Sequence, residues 1–96
     1  MNEQVKNEIL NHISKNEVVA TSYAGANIYT VRDGREKALL VIENNYFVNE
    51  NTISVRGSKA PITVSWKDAS TARKDMIEIV TAAQNKVMAR EYAKTR

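Results

Sequence analysis

Ninety-six residues make one domain, large enough for a single modest core. A hydrophobic share of 43% and a charged share of 26% are ordinary for a globular chain. The absence of cysteine excludes disulfides, thiol catalysis and Cys-bound zinc, and a net charge of +3 is small for a dedicated polyanion binder.

The chain opens on a short amphipathic helix. Met1, Val5, Ile9 and Ile13 step by four with Leu10 beside them, and the stripe fades near Asn16. Residues 17–66 then become rich in β-branched and aromatic side chains. Val18 to Tyr23 reads as a strand, Ala24-Gly25-Ala26 as a three-residue break, and Asn27 to Arg32 as a second strand. Asp33-Gly34 predicts a type I′ hairpin turn, which needs positive φ at both central positions. Lys37 to Glu43 holds the apolar run Ala38-Leu39-Leu40-Val41-Ile42 and reads as a central strand. Between Asn44 and Asn51 four asparagines suggest positive-φ positions and a bend. Tyr46-Phe47-Val48 either extends the preceding strand or forms a short one of its own. Thr52 to Arg56 is another strand, Gly57 to Pro61 a turn, and Ile62 to Trp66 the last strand.

Lys67 to about Tyr92 reads as one long helix. Ala69, Ala72, Met76, Ile79, Ala83 and Val87 form its apolar stripe, flanked by Val80 and Tyr92. Asp68 is the candidate N-cap. The order of helix, antiparallel meander of four to five strands and helix predicts an α+β two-layer sandwich with both helices on one face of the sheet. Ile9, Ile13, Leu40, Ile42, Val55, Val64, Trp66, Met76, Ile79 and Ala83 are the expected core. About 27 helical residues would extend about 40 Å, which is long for so small a domain. The helix is therefore expected to overhang, to break near Thr81, or to pack against another chain. Val87, Met88, Arg90 and Tyr92 are the candidate protein-interface residues, and an antiparallel homodimer keeps the basic tails apart.

Charge is uneven along the chain. Residues 1–31 carry two cations and three anions, residues 32–66 five and four, and residues 67–96 seven and four. If the strands make a simple meander, the turns near Asp33 and Gly57 fall at the same end of the sheet. Arg32, Arg35, Lys37, Arg56 and Lys59 would then gather there as candidate contacts for a phosphate or nucleic acid.

Catalytic chemistry has few candidates. His12 is the single histidine, with Glu8 and Asn16 one helical turn away on either side. No serine sits in a nucleophile elbow, and the three glycines are isolated, so no phosphate-cradling loop is present. No two-histidine spacing or dense acidic loop suits a metal, and no cofactor is expected. Tyr29, Tyr46 and Phe47 would stack bases only if they faced water, and an aromatic core favours Phe47 and Trp66 inside. No apolar run approaches the roughly 20 residues that span a bilayer. Met1-Asn2-Glu3-Gln4 lacks the basic start and apolar stretch of a signal peptide, so a cytoplasmic location is expected. The leading expectation is a non-catalytic interaction protein, an adaptor, regulator or inhibitor, that associates with itself. Nucleic-acid or phosphate-ligand binding ranks second and a small enzyme third.

Overall fold

A computed structural model describes residues 3–34, 37–45, 47–56, 62–65 and 70–94. The elements run α1 (Glu3–Lys15), β1 (Glu17–Tyr23), β2 (Ala26–Arg32), β3 (Ala38–Asn45), β4 (Glu50–Val55), β5 (Ile62–Ser65) and α2 (Ser70–Lys94). The five strands form one antiparallel sheet in chain order, β1-β2-β3-β4-β5. Both helices cover one face of it, which makes the expected α+β two-layer sandwich.

Register explains which side chains meet the helices. Val18, Val31, Leu40 and Val55 form one cross-strand row of the inner face, and Ala20, Tyr29, Ile42, Ile53 and Ile62 form the next. Val18, Tyr29, Val31, Leu40, Ile42, Ile53 and Val64 pack in one cluster with Ile9 and Ile13 of α1 and Met76, Ile79 and Ala83 of α2. Each large aliphatic side chain buried there contributes about 1.5–3 kcal/mol before the entropy of ordering it is counted. Val55 is half-buried against this cluster, and Trp66 lies outside the described residues.

The helices lie side by side and run in the same direction. Lys6 near the start of α1 reaches Asp75 and Glu78 of α2, at 3.5 and 3.0 Å. Ser14 near the end of α1 meets Lys86 of α2. At about 1.5 Å per residue, the 25 residues of α2 span about 37 Å, against a long molecular axis of 41 Å. The helix sets the length of the molecule and passes Thr81 without a break.

Three turns differ from the sequence expectation. The two-residue positive-φ hairpin is Ala24–Gly25, with φ of 49° and 80°, and Ala26 already belongs to β2. Asp33-Gly34 instead opens a longer connection between Arg32 and Ala38, in which Gly34 does not adopt positive φ. Asp33 N–H donates to the Lys37 carbonyl at 3.0 Å, and Lys37 N–H donates to Asp33 Oδ1 at 3.3 Å, so the aspartate side chain shapes the loop. Phe47, Val48 and Asn49 are turn, so they neither extend β3 nor form a strand. Asn49 has φ of 53°, as an asparagine in a tight turn allows, while Asn44, Asn45 and Asn51 sit in strands. The Gly57–Pro61 turn and the Asp68 cap lie outside the described residues.

Candidate interaction surface

The meander gives the sheet two unlike ends. One carries the Ala24–Gly25 turn and the 47–49 turn, and the other carries the 33–37 loop, Arg56 and the start of β1. Arg56 N–H donates to the Leu39 carbonyl at 3.0 Å, and its guanidinium lies 3.9 Å from Asp33 Oδ2. Arg32 stands opposite Glu17 in the β1–β2 register, and Lys37 is exposed within the loop. The structure thus places Arg32, Lys37 and Arg56 at one end, while Arg35 and Lys59 lie outside the described residues. Among the described residues, α2 adds to the same end a cation not foreseen there, since Arg90 Nη1 pairs with Glu17 Oε1 at 2.6 Å. Among the described residues here, Arg56 engages Asp33 and Arg90 engages Glu17, with Arg32 and Lys37 beside them. A polyanion would compete for partly exposed pairs that are each worth little in water.

The end of α2 and the edge of the sheet form a second surface. Ala83 is buried and Val87 half-buried against the core, but Met88 and Tyr92 are 65% and 62% exposed. This part of α2 packs over β1, which has a hydrogen-bonded neighbour on one side only. Ala20, Tyr29, Gln84, Val87 and Met88 line a shallow groove of about 370 Å³ between the edge strand and the helix. Tyr29 forms its buried floor at 6% exposure, which removes it as a base-stacking platform. The seven residues of β1, Glu-Val-Val-Ala-Thr-Ser-Tyr, contain no lysine, proline or bulge of the kind that blunts an edge. The other edge is β5, described over Ile62–Ser65.

Phe47, expected inside, is 81% exposed, and its ring lies where a Cβ on Gly25 would be. Tyr23 and Val48 are exposed at the same sheet end. Their exposure follows from the turn at 47–49, which takes Phe47 and Val48 out of the alternation that would bury one of them. Sequence reasoning also read Asn44 and Asn51 as bend signals, whereas they occupy directly opposed inner-face positions on β3 and β4. Their spacing from Ile42 and Ile53, two residues along each strand, is the signal that could have placed them inward.

His12 lies half-buried on α1, and its carbonyl accepts a bond from Asn16 Nδ2 at 2.9 Å that closes the helix end. Among the described residues no three His, Cys, Asp or Glu side chains cluster to hold a metal ion. No described helix is long and apolar enough to cross a membrane. Compared with protein-family models, curated proteins and solved structures, the chain matches none of them.

Proposed function

We propose that this chain is a non-catalytic protein-interaction module, acting as an adaptor, regulator or inhibitor within a larger assembly, and that it pairs with a second copy of itself. The observation that carries this reading is Met88 and Tyr92 exposed on α2 beside the unblunted edge strand β1. Exposed apolar side chains next to unpaired backbone groups are the two ingredients of strand-edge docking. A two-fold axis through Ala20 would pair Glu17 with Tyr23 and Val18 with Ser22 across an antiparallel β1–β1 junction. The α2 helices would then run antiparallel, each Met88 would approach the groove over the other copy's Ala20, and the basic tails would point apart. The protein needs no cofactor for this role.

Light scattering at micromolar concentration tests the pairing. Twice the 10.8 kDa chain mass is expected for the wild type and a single mass for Met88→Glu. A wild-type protein that stays at one chain mass up to 1 mM overturns the self-association.

A second reading, contact with a phosphate or nucleic acid, is supported by the convergence of Arg32, Lys37, Arg56 and Arg90 at one end. Salt separates the two readings. Counterion release makes polyanion affinity fall steeply between 50 and 200 mM salt, whereas an apolar interface changes little.

A further inference from the structure

The third inner-face row of the sheet is polar on its first four strands, where the other two rows are apolar. It runs Ser22, Asn27, Asn44, Asn51 and Val64 across all five strands. Ser22 Oγ donates to Asn27 Oδ1 at 3.1 Å, so the outer pair satisfies itself. The central pair does not. Asn44 Oδ1 and Asn51 Oδ1 are both buried, and among the described residues neither has a hydrogen-bond donor. Asn51 is only 3% exposed. Buried carbonyl oxygens are normally paired, because water is lost to them without return.

Both asparagines line a half-open cavity of about 200 Å³ whose far side is formed by Met76, Ile77, Val80, Thr81 and Gln84 of α2. Its walls are therefore of two kinds, apolar on the helix side and oxygen-bearing on the sheet side. Directly opposed residues of an antiparallel pair hold their Cβ atoms about 4.5–5.5 Å apart. One NH₂ group can thus present a hydrogen to each of the two oxygens.

We propose that this cavity binds a small neutral molecule that carries an NH₂ group on a compact apolar body, a primary carboxamide or an amino-heterocycle. The two asparagine oxygens demand N–H donors. Met76, Ile77 and Val80 demand an apolar body. Among the described residues no carboxylate lines the cavity, so an ammonium or amidinium would enter with its charge uncompensated, which selects the neutral donor over the cation. Thr81 and Gln84 supply further polar contacts at the helix side. The site lies on the helix-covered face near β3 and β4, apart from the β1 edge, so it does not depend on self-association.

Cyclohexanecarboxamide and 2-aminopyrimidine are the probes, with benzamidinium as the charged comparison. In ¹⁵N-resolved spectra, saturable shifts of the Asn44 and Asn51 side-chain amides are expected from either neutral probe, and at least tenfold weaker binding of benzamidinium. Asn51→Leu should weaken neutral-probe binding at least tenfold, and Gln84→Ala, on exposed helix surface, serves as a second variant expected to weaken it severalfold with the fold intact. The proposal is overturned if neither neutral probe moves those amides at millimolar concentration. Binding of equal strength to Asn51→Leu overturns it too, as does a crystal soaked with both probes that holds only water between Asn44, Asn51 and Val80.

Discussion

The Lys86 ammonium donates a hydrogen bond to the Ser14 carbonyl at 2.7 Å, across 72 positions of sequence. Ser14 sits in the last turn of α1, where carbonyls have no intrahelical partner and the helix dipole is negative. This cation of α2 thus caps the end of the neighbouring helix, α1. Parallel alignment of α1 and α2 makes this geometry available. Lys86→Met should keep the aliphatic stem, lose the bond and lower stability by about 1 kcal/mol. Urea denaturation is the measurement, with exposed Lys74→Met, expected to change stability by less than about 0.5 kcal/mol, as the reference.

At the other end of the same helix pair, Lys6 bonds Glu78 and lies near Asp75. Its pKa is raised above the ordinary 10.5, first by the hydrogen bond to Glu78, with burial opposing and the charges of Glu3, Glu78 and Asp75 assisting. A raised lysine pKa means that the folded state holds the proton more tightly. The stabilisation is therefore complete below about pH 10.5 and is lost as pH climbs through the higher folded-state value. Thermal melts of wild type and Lys6→Met should differ by a constant amount from pH 7 to 10 and converge above it. A difference that already shrinks between pH 7 and 9 would show that the Lys6 proton does not govern it.

Ile79 is fully buried between the sheet and α1, with Met76 and Ala83 one turn away on each side. Ile79→Ala should cost about 2–5 kcal/mol by equilibrium unfolding, the range for emptying a packed aliphatic site. Ile77, exposed two residues earlier, should lose less than about 1 kcal/mol on the same change. Equal losses would mean that the helix is rotated relative to this stripe.

Much of this architecture could be read from spacing. The four-residue steps of Ile9 and Ile13 and the three- and four-residue steps of Met76, Ile79 and Ala83 placed both helices' inner faces correctly. Strand alternation located Leu40, Ile42 and Val64. Turn chemistry was less legible. Asp33-Gly34 has the composition of a type I′ turn, but a register shift at Val31/Arg32 leaves room for a longer loop, and Asp33 uses its carboxylate to hold that loop. Ala24 carries no sequence signal for positive φ, and only the pairing of Tyr23 with Ala26 imposes it. The basic end was partly legible because meander parity fixes which turns share an end. That Arg90 arrives there depends on the path of α2 across the sheet, which local sequence does not encode.

The Ala24 result leads to a stabilising change. An alanine at φ 49° pays a steric penalty between its Cβ and the backbone. Asparagine tolerates this region better and precedes glycine in favoured type I′ turns. Ala24→Asn should therefore raise stability by about 0.5–1 kcal/mol, a gain of several degrees in Tm for a domain of this size. Gly25→Ala should do the opposite, by about 1 kcal/mol or more, because φ is 80° there and the added methyl collides with the Phe47 ring. Phe47 is largely exposed and can swing aside, so Gly25→Ala combined with Phe47→Ala should recover only the collision and not the backbone strain.

Arg56 tests what the basic end is for. Its ion pair with Asp33 is long at 3.9 Å and half-exposed, so its contribution to stability is small. Removing the side chain should leave unfolding within about 0.5 kcal/mol of wild type. Arg32, Lys37 and Arg56 replaced together by serine should still fold, since Arg56 anchors the loop to β3 mainly through its backbone N–H on Leu39, which serine keeps. If the end contacts polyanions, this variant should elute from heparin at clearly lower salt than wild type, and the salt slope of binding should fall by about one per phosphate contact removed. Equal retention of the two proteins would exclude polyanion contact through these three side chains and leave the β1 edge with α2 as the working surface. Loss of heparin retention with an unchanged mass in solution would show that the basic end acts independently of the β1–α2 surface.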